Sequence, residues 1–241
     1  MFSYMNRLIL TCALGAAVML GQPSSQVQFN DCTEFVGAGW VPVAQAASSV
    51  PSTFQILNVN GTALLVTRAA ECKSVVVDNA RPEPARLSQI GVSVVSPDGT
   101  GDINNYTVMY VTNNRRLAQR LERAGLPVKM DEDLAYEVNA GNLFIDVSPE
   151  DGPAFFFNGA VTEPPIGGFP FLANWWYESN RGRMKMATNI PTINFGQAAV
   201  TVYSRKDSPL GRLINGNSFS DFSVFNVRGR FATGRMDVTV R

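Results

Sequence analysis

Histidine is absent from this 241-residue sequence. That excludes Ser-His-Asp and Cys-His hydrolysis and removes the commonest zinc ligand. Lysine is scarce, found only at Lys73, Lys129, Lys185 and Lys206. Net charge is also lacking: 20 Lys+Arg balance 20 Asp+Glu, so no field steers the chain toward nucleic acid or an anionic membrane. No Gly-rich phosphate motif joins a strand to a helix. Metal binding lacks a ligand cluster, since Asp98, Asp102 and Asn104 in "PDGTGDINN" are explained equally well by a turn-rich loop. Chemistry therefore falls to carboxylates, lysine, tyrosine or a bound cofactor, and no cofactor or nucleic-acid partner is expected.

Long apolar runs are missing except "LILTCALGAAVML", Leu8 to Leu20, which follows Arg7 and is broken by "GQPSSQ". It is too short to span a bilayer comfortably and suits the apolar region of a signal peptide. The expectation is a leader over residues 1–28, cut between Gly21 and Gln28, and a mature domain over 29–241 that is secreted or periplasmic and has no stable membrane insertion. An uncleaved anchor or a buried helix is the alternative. Cys12 lies too early for a lipoprotein cysteine. Removing the leader leaves Cys32 and Cys72, an even pair for which a disulfide is the natural reading outside the cytosol. Such a bond contributes about 3–4 kcal/mol in the chain-entropy model. Two separate buried thiols are the alternative. "NGT" at Asn60 and "NYT" at Asn105 match the glycosylation acceptor pattern.

Residues 29–52 are small, apolar and weakly patterned, as in an arm or short helix. Beyond them strands dominate. "STFQILNVNGTALLVTRA" predicts a hairpin turning at Asn60-Gly61, and "GRMDVTVR" alternates Met236, Val238 and Val240 with Arg235, Asp237, Thr239 and Arg241. One helix is clear in "NNRRLAQRLERAGLP": Leu117, Leu121 and Ala124 recur at helical spacing, an Asn caps the start, and Gly125 and Pro127 end it. "SPLGRLI" predicts a second, short one. About ten strands and one main outer helix, with no linker or repeat, predict a single mainly β domain, an antiparallel β-barrel. A two-sheet sandwich is the alternative.

The order "NYTVMYVTN", then a helix ending in "AGLPVK", then "FGQAAVTVYSRKDSPLGRLI" resembles the acetoacetate decarboxylase-like superfamily over about residues 85–215. The resemblance implies a lipocalin-like β-cone around an apolar pocket. In the enzymes of that family the turn reads Gly-x-Pro-Lys-Lys, and the first lysine forms a Schiff base. Gly125, Leu126 and Pro127 match the turn, but Val128 occupies the nucleophile position and Lys129 only the second one. Lys129 is therefore a catalytic candidate only if the register slips by one residue. From the residues alone, Asp131, Glu132 and Asp133 behind it favour a protonated amine, the reverse of what a nucleophile needs.

Three further stretches bear on binding. Arg183 and Lys185 share one face of "RGRMKMATNI" and Met184 and Met186 the other; inward, the cations would meet a ligand carboxylate, whereas outward they are ordinary surface. Phe155 and Phe157 alternate with Phe156, and Trp175 and Tyr177 with Trp176, so these aromatics either line a ligand cavity or fill the core. The leading expectation is an exported β-barrel that binds a small apolar or amphipathic molecule without Schiff-base chemistry. A lyase using Lys129 and a partner-binding surface protein are its rivals.

Overall fold

A computed structural model describes residues 25–165 and 167–241. The first strand, β1 (Ser25–Pro42), runs through the middle of the sheet, and α1 (Val43–Ala47) follows it. Residues 29–52 are thus a central strand before they are a short helix, which corrects the arm expected from sequence. The alternation that marks a half-solvated strand is missing because β1 is covered on both faces along its second half. There Gly39 lets the 219–222 segment press onto the strand: a Cβ would sit 2.0 Å from the Asp221 carbonyl oxygen. The leader boundary expected at residue 28 falls inside β1, where buried Val27 pairs with Val77 on one side and Met236 on the other. The rest of the expected leader lies outside the described residues.

Next come β2 (Asn58–Val59), β3 (Thr62–Val77), β4 (Glu83–Ser93) and β5 (Ile103–Thr112). Asn60 and Gly61 both have positive φ, 51° and 84°, so the Asn-Gly signal produces the tight hairpin it predicts. Then follow α2 (Arg115–Arg123), β6 (Val128–Met130), β7 (Ala135–Asn139), β8 (Asn142–Val147) and β9 (Phe155–Val161). The chain ends with β10 (Phe169–Ser179), β11 (Gly182–Ser204), α3 (Pro209–Ile214), β12 (Ser218–Phe219) and β13 (Phe225–Val240). Among the described residues no helix is long and apolar enough to cross a membrane.

Among the described residues the fold is mainly β, with all 13 strands in one sheet. That exceeds the ten expected, although "RMKMATNI" and "QAAVTVYS" merge into β11, and "SVFNVRGRF" and "GRMDVTVR" into β13. The order β10-β5-β4-β3-β1-β13-β11 closes on itself because β11 also pairs with β10. The sheet is not wholly antiparallel: β5 pairs parallel with β6, to which α2 carries the chain back, and with β10. β11 bends near Pro191, which has no N–H for the ladder, and its pairing with β13 lapses between Asn189 and Asn194. The pairing with β13 resumes from Asn194 to Gln197, and from Ala198 onward β11 leaves the ring and pairs with β9, which carries β8 and β7 with it.

Two apolar clusters result. The inner one lies within the ring and includes Phe29, Val66, Trp175, Met186 and Val238. The outer one, with Phe35, Ile90, Phe157 and Val202, lies between the ring and the β7–β9 extension. Helix α2 was expected on the outside, but its buried Leu117 and Leu121 belong to the inner cluster. The Asn114 side chain caps its start by accepting from the Leu117 N–H at 2.9 Å. Its end is a Schellman turn, with Gly125 N–H to the Glu122 carbonyl and Leu126 N–H to the Leu121 carbonyl. Cys32 and Cys72 face each other across β1 and β3 with Cα atoms 4.1 Å apart, and they form a disulfide.

Candidate functional site

Inside the ring is a cavity of about 100 Å³ whose walls are almost entirely apolar. Its exception is a pair of charges. Glu34 on β1 and Arg68 on β3 point inward, are 3% and 8% exposed, and meet with Arg68 Nε 2.7 Å from Glu34 Oε2. Arg68 Nη1 donates to Gln89 Oε1 on β4 at 3.1 Å, which leaves Nη2 uncommitted. Gly229 lies opposite Glu34 on β13, and a Cβ there would come within 2.8 Å of the Glu34 side chain, so glycine makes room for the carboxylate. Held this way on apolar walls, the guanidinium can still donate from Nη2, and burial strengthens such charge-assisted hydrogen bonds. Tyr110 belongs to the same cluster; burial pushes its phenol up, the Arg68 charge only partly opposing this, so it is a neutral hydroxyl.

A second polar group sits nearby. Asn105 and Thr107 on β5 and Trp175 on β10 are buried, and Asn105 Nδ2, Thr107 Oγ1 and Trp175 Nε1 find no hydrogen-bond partner in the protein. Pairing brings them together: Trp175 is opposite Asn105, and Thr107 is opposite Gly91, against whose Cα the indole rests. Each such orphan costs about 1–3 kcal/mol, and Asn105 and Thr107 are sealed behind the cavity wall rather than part of its lining. Ser93, which lines the cavity, donates to Asn105 Oδ1 at 2.8 Å.

Lys129 takes no part in this site. On β6 Val128 pairs with Tyr110 and packs into the inner cluster, while Lys129 pairs with Val111, a member of the outer one. Paired residues share a face, so the amine stands on the side away from the cavity. The carboxylates behind it are engaged elsewhere: Asp131 accepts from the Ser148 N–H at 2.6 Å, and Glu132 pairs with Arg115 at 2.7 Å.

The chain is similar to acetoacetate decarboxylase, with a TM-score of 0.61 and 11% identity over 92% of this chain and 90% of that one. The fold is acetoacetate decarboxylase-like. The enzyme from Legionella pneumophila superposes with a TM-score of 0.59 at 11% identity, covering 95% of this chain and 92% of its own. The enduracididine biosynthesis enzyme MppR gives 0.56 at 12%, covering 94% and 90%. No protein-family model matches the sequence, and no curated protein does so.

On this acetoacetate decarboxylase-like fold, of the six expected ligand contacts only Trp175 lines the cavity. Phe155 and Phe157 lie in the outer cluster, where Phe157 meets Phe35 at 5.4 Å. Tyr177 touches both clusters and stacks on Tyr106, whose phenol burial raises to about 12, with Tyr177 adding to the shift. Met184 and Met186 face inward, so Arg183 and Lys185 face out. Arg183 lies over the Phe54 ring at 4.8 Å and near Glu178 at 3.6 Å. Lys185 lies 5.1 Å over the Trp176 ring and is 2.7 Å from both Asp98 Oδ2 and Thr100 Oγ1. Burial alone would raise the Asp98 carboxyl, but bonds from Lys185 and Thr100 outweigh it and hold it below the usual range. The other oxygens of that loop accept from protein donors, Asp102 from the Leu172 N–H and Asn104 from Trp176 Nε1. Asn105 is fully buried, so of the two acceptor triplets only Asn60 is exposed for glycosylation.

Sequence reasoning missed Glu34, Arg68 and Gln89. The signal was a charge set against an apolar run in each of two strands, Glu34 at the head of "EFVGAGW" and Arg68 within "ALLVTRAA". A single charge in such a run needs a partner of opposite sign once buried.

Proposed function

We propose that this chain is an exported β-cone that binds a small, largely apolar carboxylic acid inside its ring and forms no imine with it. The observation that carries the reading is Arg68, a buried guanidinium on an apolar cavity wall with Nη2 uncommitted. Nη2 can donate to a carboxylate oxygen, and the apolar walls match the remainder of such a ligand. Val128, at the position where the family enzymes carry their nucleophile, supports binding without a covalent step. The disulfide is compatible with an oxidising compartment. MppR holds pyruvate, a small carboxylate, in one of its structures.

A second reading, a lyase acting through Lys129, is favoured by the comparisons, since the similar structures are enzymes. That likeness weighs toward catalysis more than toward an exported carrier. Against it stands the outer face on which Lys129 lies.

Calorimetric titration with butanoate, paired with borohydride reduction in the presence of pyruvate, separates the two. The binding reading expects butanoate affinity to fall at least about tenfold in Arg68→Met, the loss of one charge-assisted hydrogen bond, and to be unchanged in Lys129→Ala. It expects no mass adduct while an acetoacetate decarboxylase is trapped in parallel. An adduct mapping to Lys129 would overturn it in favour of the lyase.

A further inference from the structure

Exposed apolar side chains gather at the open end of the cavity. Phe169 and Phe225 both line it and yet are 51% and 41% exposed. Phe195 lies 5.6 Å from Phe169 and 6.4 Å from Phe171, and both of these partners also line the cavity. The rim continues the theme. Leu57 and Val224, both exposed, donate backbone N–H bonds to the cavity-lining residues Ser93 and Ala38. Large exposed apolar groups scattered singly need no explanation, but a set concentrated around one opening does.

Strand register measures how far this opening is from the buried charge. Glu34 pairs with Gly229 and Ala38 with Phe225, so Phe225 stands four residues along the ladder from the level of Glu34, roughly 13 Å at strand rise. The path between is lined by Val36, Val66, Ile190 and Val227 and leads from Arg68 outward. The inner end therefore offers the Glu34–Arg68 pair with Arg68 Nη2 left over, and from there to the rim the walls are hydrocarbon apart from Ser93 and Thr188.

We infer that the ligand is an acid with an unbranched hydrocarbon chain, its carboxylate on Arg68 and its chain leaving the ring between Phe169, Phe171, Phe195 and Phe225. This rests on the reading of the inner cavity as a carboxylate site and adds what the rest of the ligand must be. The phenylalanines keep the emerging chain in apolar contact where it would otherwise meet water.

The test is a calorimetric titration of the full mature chain with the straight-chain series from butanoate to dodecanoate, below their micelle concentrations. Affinity should rise by about fourfold per added methylene, the transfer of one CH2 out of water, until the chain outgrows the path to the rim. Phe169→Ser and Phe225→Ser, at exposed positions that the fold tolerates, should weaken dodecanoate by about tenfold or more and leave butanoate unchanged. A flat series with Arg68-dependent butanoate binding would overturn the chain assignment and leave the carboxylate site standing. No binding by any acid would remove both. An equal loss for butanoate and dodecanoate in the phenylalanine variants would also overturn it, since the rim would then act on the fold rather than on the chain.

Discussion

Glu34→Leu leaves the Arg68 guanidinium inside the ring with only Gln89 as partner. Both groups of the pair are nearly buried, and their 2.7 Å contact is screened by little water. Breaking a buried ion pair from one side costs about 3–5 kcal/mol, because the surviving charge has lost its solvation on both counts. The hydrogen bond to Gln89 survives and argues for the lower end, about 3 kcal/mol. For a chain of this size each kcal/mol moves Tm by about 2–4 °C, so a fall of roughly 6–12 °C follows. The double variant Glu34→Leu/Arg68→Leu removes both charges and fills the space with hydrocarbon, and it should return to within about 1 kcal/mol of the parent or exceed it. Urea unfolding of the oxidised protein, with equal slopes in all variants, reads both values. A single variant costing less than about 1 kcal/mol would refute the reasoning: the pair would then behave as a surface salt bridge, and the ring interior would be wet.

Two further outcomes follow from the same structure. Replacing Cys32 and Cys72 together by alanine releases a loop with a sequence separation of 40, and urea unfolding should register a loss of about 2–4 kcal/mol. With both sulfurs buried, a mild reductant should leave the folded protein's disulfide intact by mass and reduce it only as the protein unfolds. For Asp98, whose folded pKa lies below its ordinary value, the stabilisation is present above about pH 4 and fades as pH falls through the lower folded value. The urea midpoints of Asp98→Asn and the parent should therefore differ at neutral pH and converge in acid; a difference that persisted below that range would remove Asp98 from the pH dependence.

Where one stretch of chain carried both the pattern and its cause, the sequence was legible. The α2 helix was readable at both ends because the Asn114 cap, the Leu117/Leu121 stripe and the Gly125 stop are all local. The Asn60-Gly61 hairpin and the alternation of β13 were readable for the same reason. β1 was not, because a strand covered on both faces loses its period of two and its glycines look like loop. The inner and outer faces of the aromatic strands were predicted as alternating, but which face met the cavity was not in the pattern. Of the aromatics expected at the ligand, Trp175 lines the cavity and Phe155 and Phe157 do not, because β9 belongs to the extension rather than to the ring.

By itself the sequence determined what chemistry is missing. With no histidine it excludes histidine-based hydrolysis, and with lysine at only four positions it limits where an amine can stand; composition needs no coordinates to say so. Only tertiary structure decided where the charge goes. Glu34 and Arg68 are 34 residues apart and meet because β1 and β3 are neighbours in a sheet that closes through strands far apart in sequence. No local preference encodes that meeting. It arises because a buried cation must find an anion, and the closure of the ring sets which one is within reach.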